Sequence, residues 1–236
     1  MGAFGGPDIL TDGLVLVLDA ASSRSYPGTG VTWYDLSSEV NNATSQASSA
    51  ATTAIFNTAG YFDLTEVGDV YFLIPGLNNY NFGNQISIEF LIKNTGGDYR
   101  AVVQNSNESS GSSDSIDIRL GREDYYGGAN NGTYCGFTLN SDHTNKNIGF
   151  PISLNVWNRV HCNYNGAVMN VYLNGELFAS TSTTGNINIV SNDMKLFRHY
   201  NTGEDLVNPF SSIKIYNRAL SAAEVLQNYN AQKNRF

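Results

Sequence analysis

The 236-residue chain carries 13 Lys and Arg against 21 Asp and Glu, a formal net charge of −8, and only 14% of its residues are charged. Nucleic-acid backbones are held by clustered Lys and Arg that displace counterions, and this acidic chain without a basic run argues against such a partner. Its longest apolar runs, such as residues 14–18, are far too short to span a bilayer, so no membrane role is expected.

Asn alone occurs 30 times, and with Gly, Ser and Thr it describes many turns and polar outer strand faces. The 14 Tyr and 12 Phe supply bulky residues that pack well on a pleated surface. A chain of this length buries roughly three-quarters of its unfolded surface, and all-β sandwiches of this size are commonly single domains. In chain order, residues 1–12 read as a Gly-rich arm ending at the turn Thr11-Asp12-Gly13, and residues 13–236 as one domain. Residues 14–18 are the first strand. Residues 20–53 read as mostly loop, anchored by Trp33 and Leu36, and residues 43–53, nearly all Ala, Ser and Thr, as an exposed segment. Strands are expected near 54–63, 68–74, 86–93 and 99–104. The Ser-rich residues 105–115 read as a mobile loop. Strands recur near 116–120, 133–139, 146–150, 157–164, 168–173, 176–182, 186–190, 194–199 and 211–217, and one helix closes the chain at 222–232.

Two segments carry more than periodicity. Asn174-Gly175 lies between the apolar, aromatic-containing run Val168-Met169-Asn170-Val171-Tyr172-Leu173 and Glu176-Leu177. The pair suits a two-residue type I′ turn, in which both central residues need φ > 0. Further on, the alternating Ile213 and Ile215 run through Tyr216-Asn217-Arg218-Ala219-Leu220 into Ser221. Ser221 can cap the amide of Glu224 while Glu224 reaches back, and Leu220 and Val225 stand at the two positions of a hydrophobic staple.

With Trp157-Asn158-Arg159-Val160, these blocks resemble the concanavalin A-like lectin/laminin-G superfamily, in the form often found in tailed-phage virion proteins. The N-terminal stretch is similar too: Gly13-Leu14-Val15-Leu16-Val17-Leu18-Asp19-Ala20, then Trp33-Tyr34-Asp35-Leu36-Ser37. Ile86-Ser87-Ile88-Glu89-Phe90 looks like the central family strand. The resemblance runs from Gly13 to Phe236. It implies an all-β fold, a two-sheet antiparallel jelly-roll sandwich with one short C-terminal helix. It also implies a non-enzymatic virion protein of the phage head or tail, partnered by other virion proteins and by copies of itself. A module that binds host-surface or environmental glycans is the alternative, because one fold hosts many functions.

The residues offer little catalytic chemistry. Some hydrolases of this fold carry Glu-x-Asp-x-x-Glu, which places three carboxylates on one strand face, and none of the eight Glu here has Asp two positions on. Gly-x-Ser-x-Gly and Gly-Lys are absent, so neither a nucleophile elbow nor a P-loop is present. His143, His161 and His199 show no metal-ligand spacing, and His161 and Cys162, adjacent in a strand, point to opposite faces. Cys135 and Cys162 make no disulfide framework. Cys162 reads as a small buried residue, and its pairing with Cys135 stays open.

Relatives often bind calcium, which takes about six to eight oxygen ligands. The positions of the family's acidic pair ahead of the last strand are Ser211 and Ser212 here. The family's Gly-Asn-Gly segment is replaced by Ser38-Glu39-Val40, and its Phe-Asp-Gly segment by Phe62-Asp63-Leu64. The expectation is therefore no cofactor, with Asp19 and Asp35 as the surviving acids for a structural calcium. For glycans, stacking rings and amide or carboxylate side chains are needed. Asp124, Tyr125, Tyr126, Asn130 and Asn131 in one loop, and Tyr80 in Asn78-Asn79-Tyr80-Asn81-Phe82, are the candidates. Phe4, the one large apolar residue in the uncharged start of the arm, is the candidate particle anchor. Residues 1–23 lack Lys and Arg, so no secretory signal is expected and the location implied by the resemblance is the virion. The sequons at Asn42, Asn107 and Asn131 then read as chance matches.

Overall fold

The structure, a computed structural model, describes residues 8–47, 55–64, 70–77, 80–97, 100–106, 114–121, 134–141, 144–187, 194–198 and 205–235. In chain order the strands are β1 (Leu14–Asp19), β2 (Thr32–Trp33), β3 (Ala43–Ala47), β4 (Ile55–Asn57), β5 (Tyr61–Asp63), β6 (Val70–Ile74), β7 (Ile86–Lys93) and β8 (Arg100–Ser106). They continue as β9 (Asp114–Leu120), β10 (Tyr134–Ser141), β11 (Thr144–Pro151), β12 (Trp157–Tyr164), β13 (Val168–Leu173), β14 (Glu176–Ser182), β15 (Met194–Leu196) and β16 (Phe210–Tyr216), followed by helix α1 (Ala222–Gln232).

Among the described residues, two eight-stranded antiparallel sheets result. The first runs β14-β13-β12-β7-β16-β5-β4, with β1 also paired to β16. The second runs β11-β10-β9-β8-β15-β6-β3-β2. Alternation along each strand decides what faces inward, because successive side chains point to opposite faces. Ile86, Ile88, Phe90 and Ile92 of β7 and Ile213 and Ile215 of β16 join one buried cluster with Phe72 and Ile74 of β6, Ile116 and Ile118 of β9 and Phe137 of β10. Aromatic edges organise one end. Trp33, fully buried, meets the rings of Phe62 at 4.8 Å and Phe72 at 5.4 Å. Phe197 sits at φ 73, a left-handed value rare for a bulky residue. Rings of Phe72 and Phe210 grip it, and its backbone bonds Val102 and Leu206.

Local chemistry explains the best-defined corners. Asn174 at φ 50 and Gly175 at φ 86 make the expected left-handed pair between β13 and β14. Ser221 and Glu224 form the full capping box, and Leu220 and Val225 pack together in a second cluster with Leu14, Val17, Tyr172 and Tyr216. This small cluster is the apolar seam between the helix and the outer side of the first sheet.

Two expectations change. The span 54–63 is not one strand: Gly60, at φ 94, turns it into the hairpin β4–β5. The segment expected as exposed from residue 43 begins with a strand, β3, whose Ala43 is fully buried against β2 and β6. Small residues there fit under Trp33 rather than marking a loose loop. The expectations for the arm's first seven residues, for residues 48–53 and for the loop at 107–113 lie outside the described residues. Among the described residues, no helix is long and apolar enough to cross a membrane.

Candidate functional site

The expected site residues do not converge. Asp124, Tyr125, Tyr126, Asn130, Asn131 and Phe4 lie outside the described residues. Tyr80 is half-buried; its ring packs on Phe82 at 4.8 Å and its hydroxyl accepts from Asn217 Nδ2 at 3.0 Å. Asp35 is spent on the backbone: its carboxylate accepts from the amides of Val17, Ser37 and Asn41 and from the Ser37 hydroxyl. Asp19 pairs with Arg235 through both oxygens and accepts from the Ala21 amide. Among the described residues, no three His, Cys, Asp or Glu side chains gather as a metal site would need. Cys162 is a free, buried thiol facing the core, and burial pushes its pKa up. His161, its neighbour, faces the opposite way, edge-on to Tyr172 with ring centroids 5.8 Å apart.

Alternation on the first sheet aims Glu89, Arg159 and Lys214 at the helix rather than the core. They form a closed ionic cluster. Glu89 Oε1 lies 2.8 Å from Arg159 Nη1 and 2.6 Å from Lys214 Nζ, with the three side chains 2%, 5% and 2% exposed. Gln232 at the end of α1 completes it, its Oε1 accepting from Lys214 Nζ at 2.6 Å and from Arg159 Nη1 at 3.1 Å. Burial favours the neutral acid, but Lys214, His161 and Arg159 outweigh it and hold Glu89 well below the usual carboxylate range. Burial pushes Lys214 down, Glu89 opposes that, and the Arg159 charge adds to it.

The second sheet presents a different outer face. One register row crosses it without a break: Thr44, Leu73, Lys195, Gln104, Asp117, Thr138 and Asn147 are successive partners from β3 to β11. Their neighbours along the strands, Phe72, Leu196, Val103, Ile118 and Ile148, are core, so the side chains of Leu73, Lys195, Gln104, Asp117 and Asn147 look away from it. Gln104 is 1% exposed, and neither its amide nitrogen nor its oxygen has a hydrogen-bond partner. Asn147 Oδ1 is likewise without a partner. Asp117 pairs with Arg119, one strand step along, at 2.6 Å. In the next row Ala101, Arg119, Gly136 and Gly149 are paired in turn, and Arg119 fills it as one of the largest fully buried side chains. Arg198 lies over the Tyr71 ring at 4.3 Å and is clamped by Asp205. An unpaired buried amide demands an explanation, since nearly all such groups in native proteins are satisfied. Residue chemistry alone could not find this row, because it exists only through register.

Glycoside cleavage needs a protonated acid beside a second carboxylate. Here the buried acids Asp19, Glu89, Asp117 and Asp205 are each matched to a basic side chain.

The fold and this face define the class. A family profile described as the concanavalin A-like lectin/glucanases superfamily matches residues 66–226. The chain belongs to that superfamily, with the lectin-type, two-sheet build expected of it. No curated protein matches it in sequence. Among solved structures it is similar to the botulinum neurotoxin serotype D binding domain, with TM-score 0.63 and 16% identity, and to the botulinum neurotoxin type G receptor binding domain, with 0.62 and 20%. It is similar also to the binding domain of botulinum neurotoxin DC in complex with SialylT, with 0.63 and 17%. Each match covers 94% of this chain and 52% of the other, so the chain spans about half the length of these toxin domains. At such identities the likeness is one of fold.

Proposed function

We propose that the chain is a non-enzymatic binding domain that takes a glycan on the polar outer face of the second sheet. The observation that carries this reading is Gln104, a buried amide with two donors and an acceptor unused in the middle of a polar row. Sugar hydroxyls both donate and accept, and would satisfy it together with Asn147 Oδ1. The ion-paired acids favour binding over cleavage. The test is a glycan array, followed by calorimetry on the hits, with wild type and Gln104→Leu. Replacing an unsatisfied buried amide by an apolar group is close to neutral or stabilising. Gln104→Leu should therefore keep or raise the melting temperature while weakening binding about tenfold or more, the worth of one good polar contact. Equal binding by both proteins, or no glycan bound by wild type, would refute the reading.

In this proposal the domain is displayed on a tailed-phage particle, in contact with other virion proteins and with copies of itself. This reading rests on the resemblance of the sequence blocks to tailed-phage virion domains. Leu10 donates its amide to Asn228 Oδ1 at 2.9 Å, and Asp8 accepts from Gln227 Nε2 at 3.0 Å, so residues 8–10 are held on the helix face. Deleting residues 1–7, Phe4 included, should weaken retention on purified particles. Full retention would leave only the sandwich surface as the anchor.

A further inference from the structure

The cluster beneath α1 contains more than an ion pair. A buried amine touches both a carboxylate and a carboxamide. Lys214 Nζ is 2.6 Å from Glu89 Oε1 and 2.6 Å from Gln232 Oε1. Arg159 Nη1 reaches the same two oxygens at 2.8 and 3.1 Å. Two cations and one anion share this site at 5% side-chain exposure or less. Buried charges are costly unless matched, and this set has one cation in excess. The cheapest one to lose is Lys214, because guanidinium keeps its proton and ammonium does not.

We propose that Lys214 and Gln232 are joined by an intramolecular isopeptide bond, formed within the folded chain with Glu89 as the proton carrier. Lys214 passes a proton to Glu89 and becomes a neutral amine. Its lone pair attacks Gln232 Cδ, forming the new C–N bond. The electrons of the carbonyl move onto Oε1, where Arg159 already donates a hydrogen bond and stabilises the developing negative charge. Glu89 hands its proton to Nε2, the Cδ–Nε2 bond breaks, and the carbonyl re-forms. The amine's second proton leaves with the departing group as ammonium, and Glu89 returns to carboxylate. No oxidant, cofactor or second substrate is consumed. The exchange converts two cations and one anion into the matched pair of Arg159 and Glu89, so the site's own electrostatics favour product. A cavity of about 150 Å³ lined by Arg159 and Gln232 gives the ammonium a way out. Desolvation, which keeps the amine nucleophilic, is supplied by the helix lid itself.

The bond would tie β16 to the last turn of α1, closing an 18-residue span between positions 214 and 232. Its signature is mass. Denaturing intact-mass spectrometry of the purified full chain should read below the sequence mass by about 17 Da, one ammonia lost on acylating the amine. A succinimide at any of the three Asn-Gly pairs, at 131, 165 and 174, loses the same mass, so a tryptic map decides. The expected product is one linked species joining residues 199–218, uncut at Lys214, to residues 219–233. Gln232→Met should restore the full mass, and Glu89→Gln should leave the two peptides unlinked. Separate peptides 199–214 and 219–233 in the wild-type digest would overturn the proposal, as would a loss mapping to Asn131, Asn165 or Asn174. The wild-type digest is decisive even if a variant fails to fold.

Discussion

Gly175 offers a sharp test of the packing between hairpin and helix. Replacing it with Ala adds one carbon, and two separate costs follow. The residue sits at φ 86, where an L side chain costs roughly 1–2 kcal/mol. The added Cβ would also stand 2.9 Å from Cδ1 and Cγ of Tyr229 on α1, closer than carbon atoms tolerate. Overpacking of this kind costs about 1–3 kcal/mol. Gly83→Ala is the internal control. Gly83 has φ 61, but nothing lies within 4 Å of its Cβ position, so only the backbone penalty applies. Urea unfolding followed by tryptophan fluorescence should show Gly175→Ala destabilised by about 2–5 kcal/mol and Gly83→Ala by about 1–2 kcal/mol. Adding Tyr229→Ala to Gly175→Ala should recover the steric part, giving a favourable coupling between the two sites. If the two alanine variants lose equal stability and no coupling appears, the contact between turn and helix is not what the structure describes.

Other outcomes can be checked independently. Glu89→Ala leaves buried cationic groups without their carboxylate and should cost about 3–5 kcal/mol in denaturant titration; a cost below 1 kcal/mol would contradict the buried network. The Glu224 carboxyl is held down at about 2, first by its hydrogen bonds to Arg218, against the opposing effect of burial and with help from the Ser221 cap. Because that value lies below the ordinary 4.5, its stabilisation is complete above the ordinary value and is lost as the pH falls toward about 2. The melting-temperature gap between wild type and Glu224→Gln should therefore be flat near neutrality and close in strong acid; a gap that widens in acid reverses the sign. In a Cys135→Ser background, Cys162 should resist thiol reagents in the native protein and react only on unfolding, as burial at 0% exposure and a raised thiol pKa require.

What could be read from the sequence was what neighbours in the chain decide. The turn at Asn174-Gly175, the capping box at Ser221 and Glu224, and the opposed faces of His161 and Cys162 each rest on a few consecutive residues. β3 was not readable in this way: Ala43, Thr44 and Ser45 resemble loop, and only Trp33 and β6 make them a strand. The β4–β5 turn was missed because Gly60 lies inside an apolar stretch that also suits one long strand. The ionic cluster joins positions 89, 159, 214 and 232, which no spacing rule connects. The polar row through Gln104 depends on six successive strand registers, and register is set by the whole core rather than by any one segment. Asp19 and Asp35 were sound as acids, but their oxygens go to Arg235 and to backbone amides.

The way the described ends of the chain meet has a consequence for how the domain can be used. Asp8 and Leu10 are bound to Gln227 and Asn228, while Arg235 grips Asp19 beside the first strand. Entry and exit thus share one corner of the sandwich, away from the polar row on the opposite sheet. A domain wired like this behaves as a cassette. It can be spliced into a surface loop of a carrier protein through two short joints, without pulling its sheets apart. Joining the two ends and opening the chain elsewhere, at the exposed turn after Asn165, should likewise leave both sheets intact.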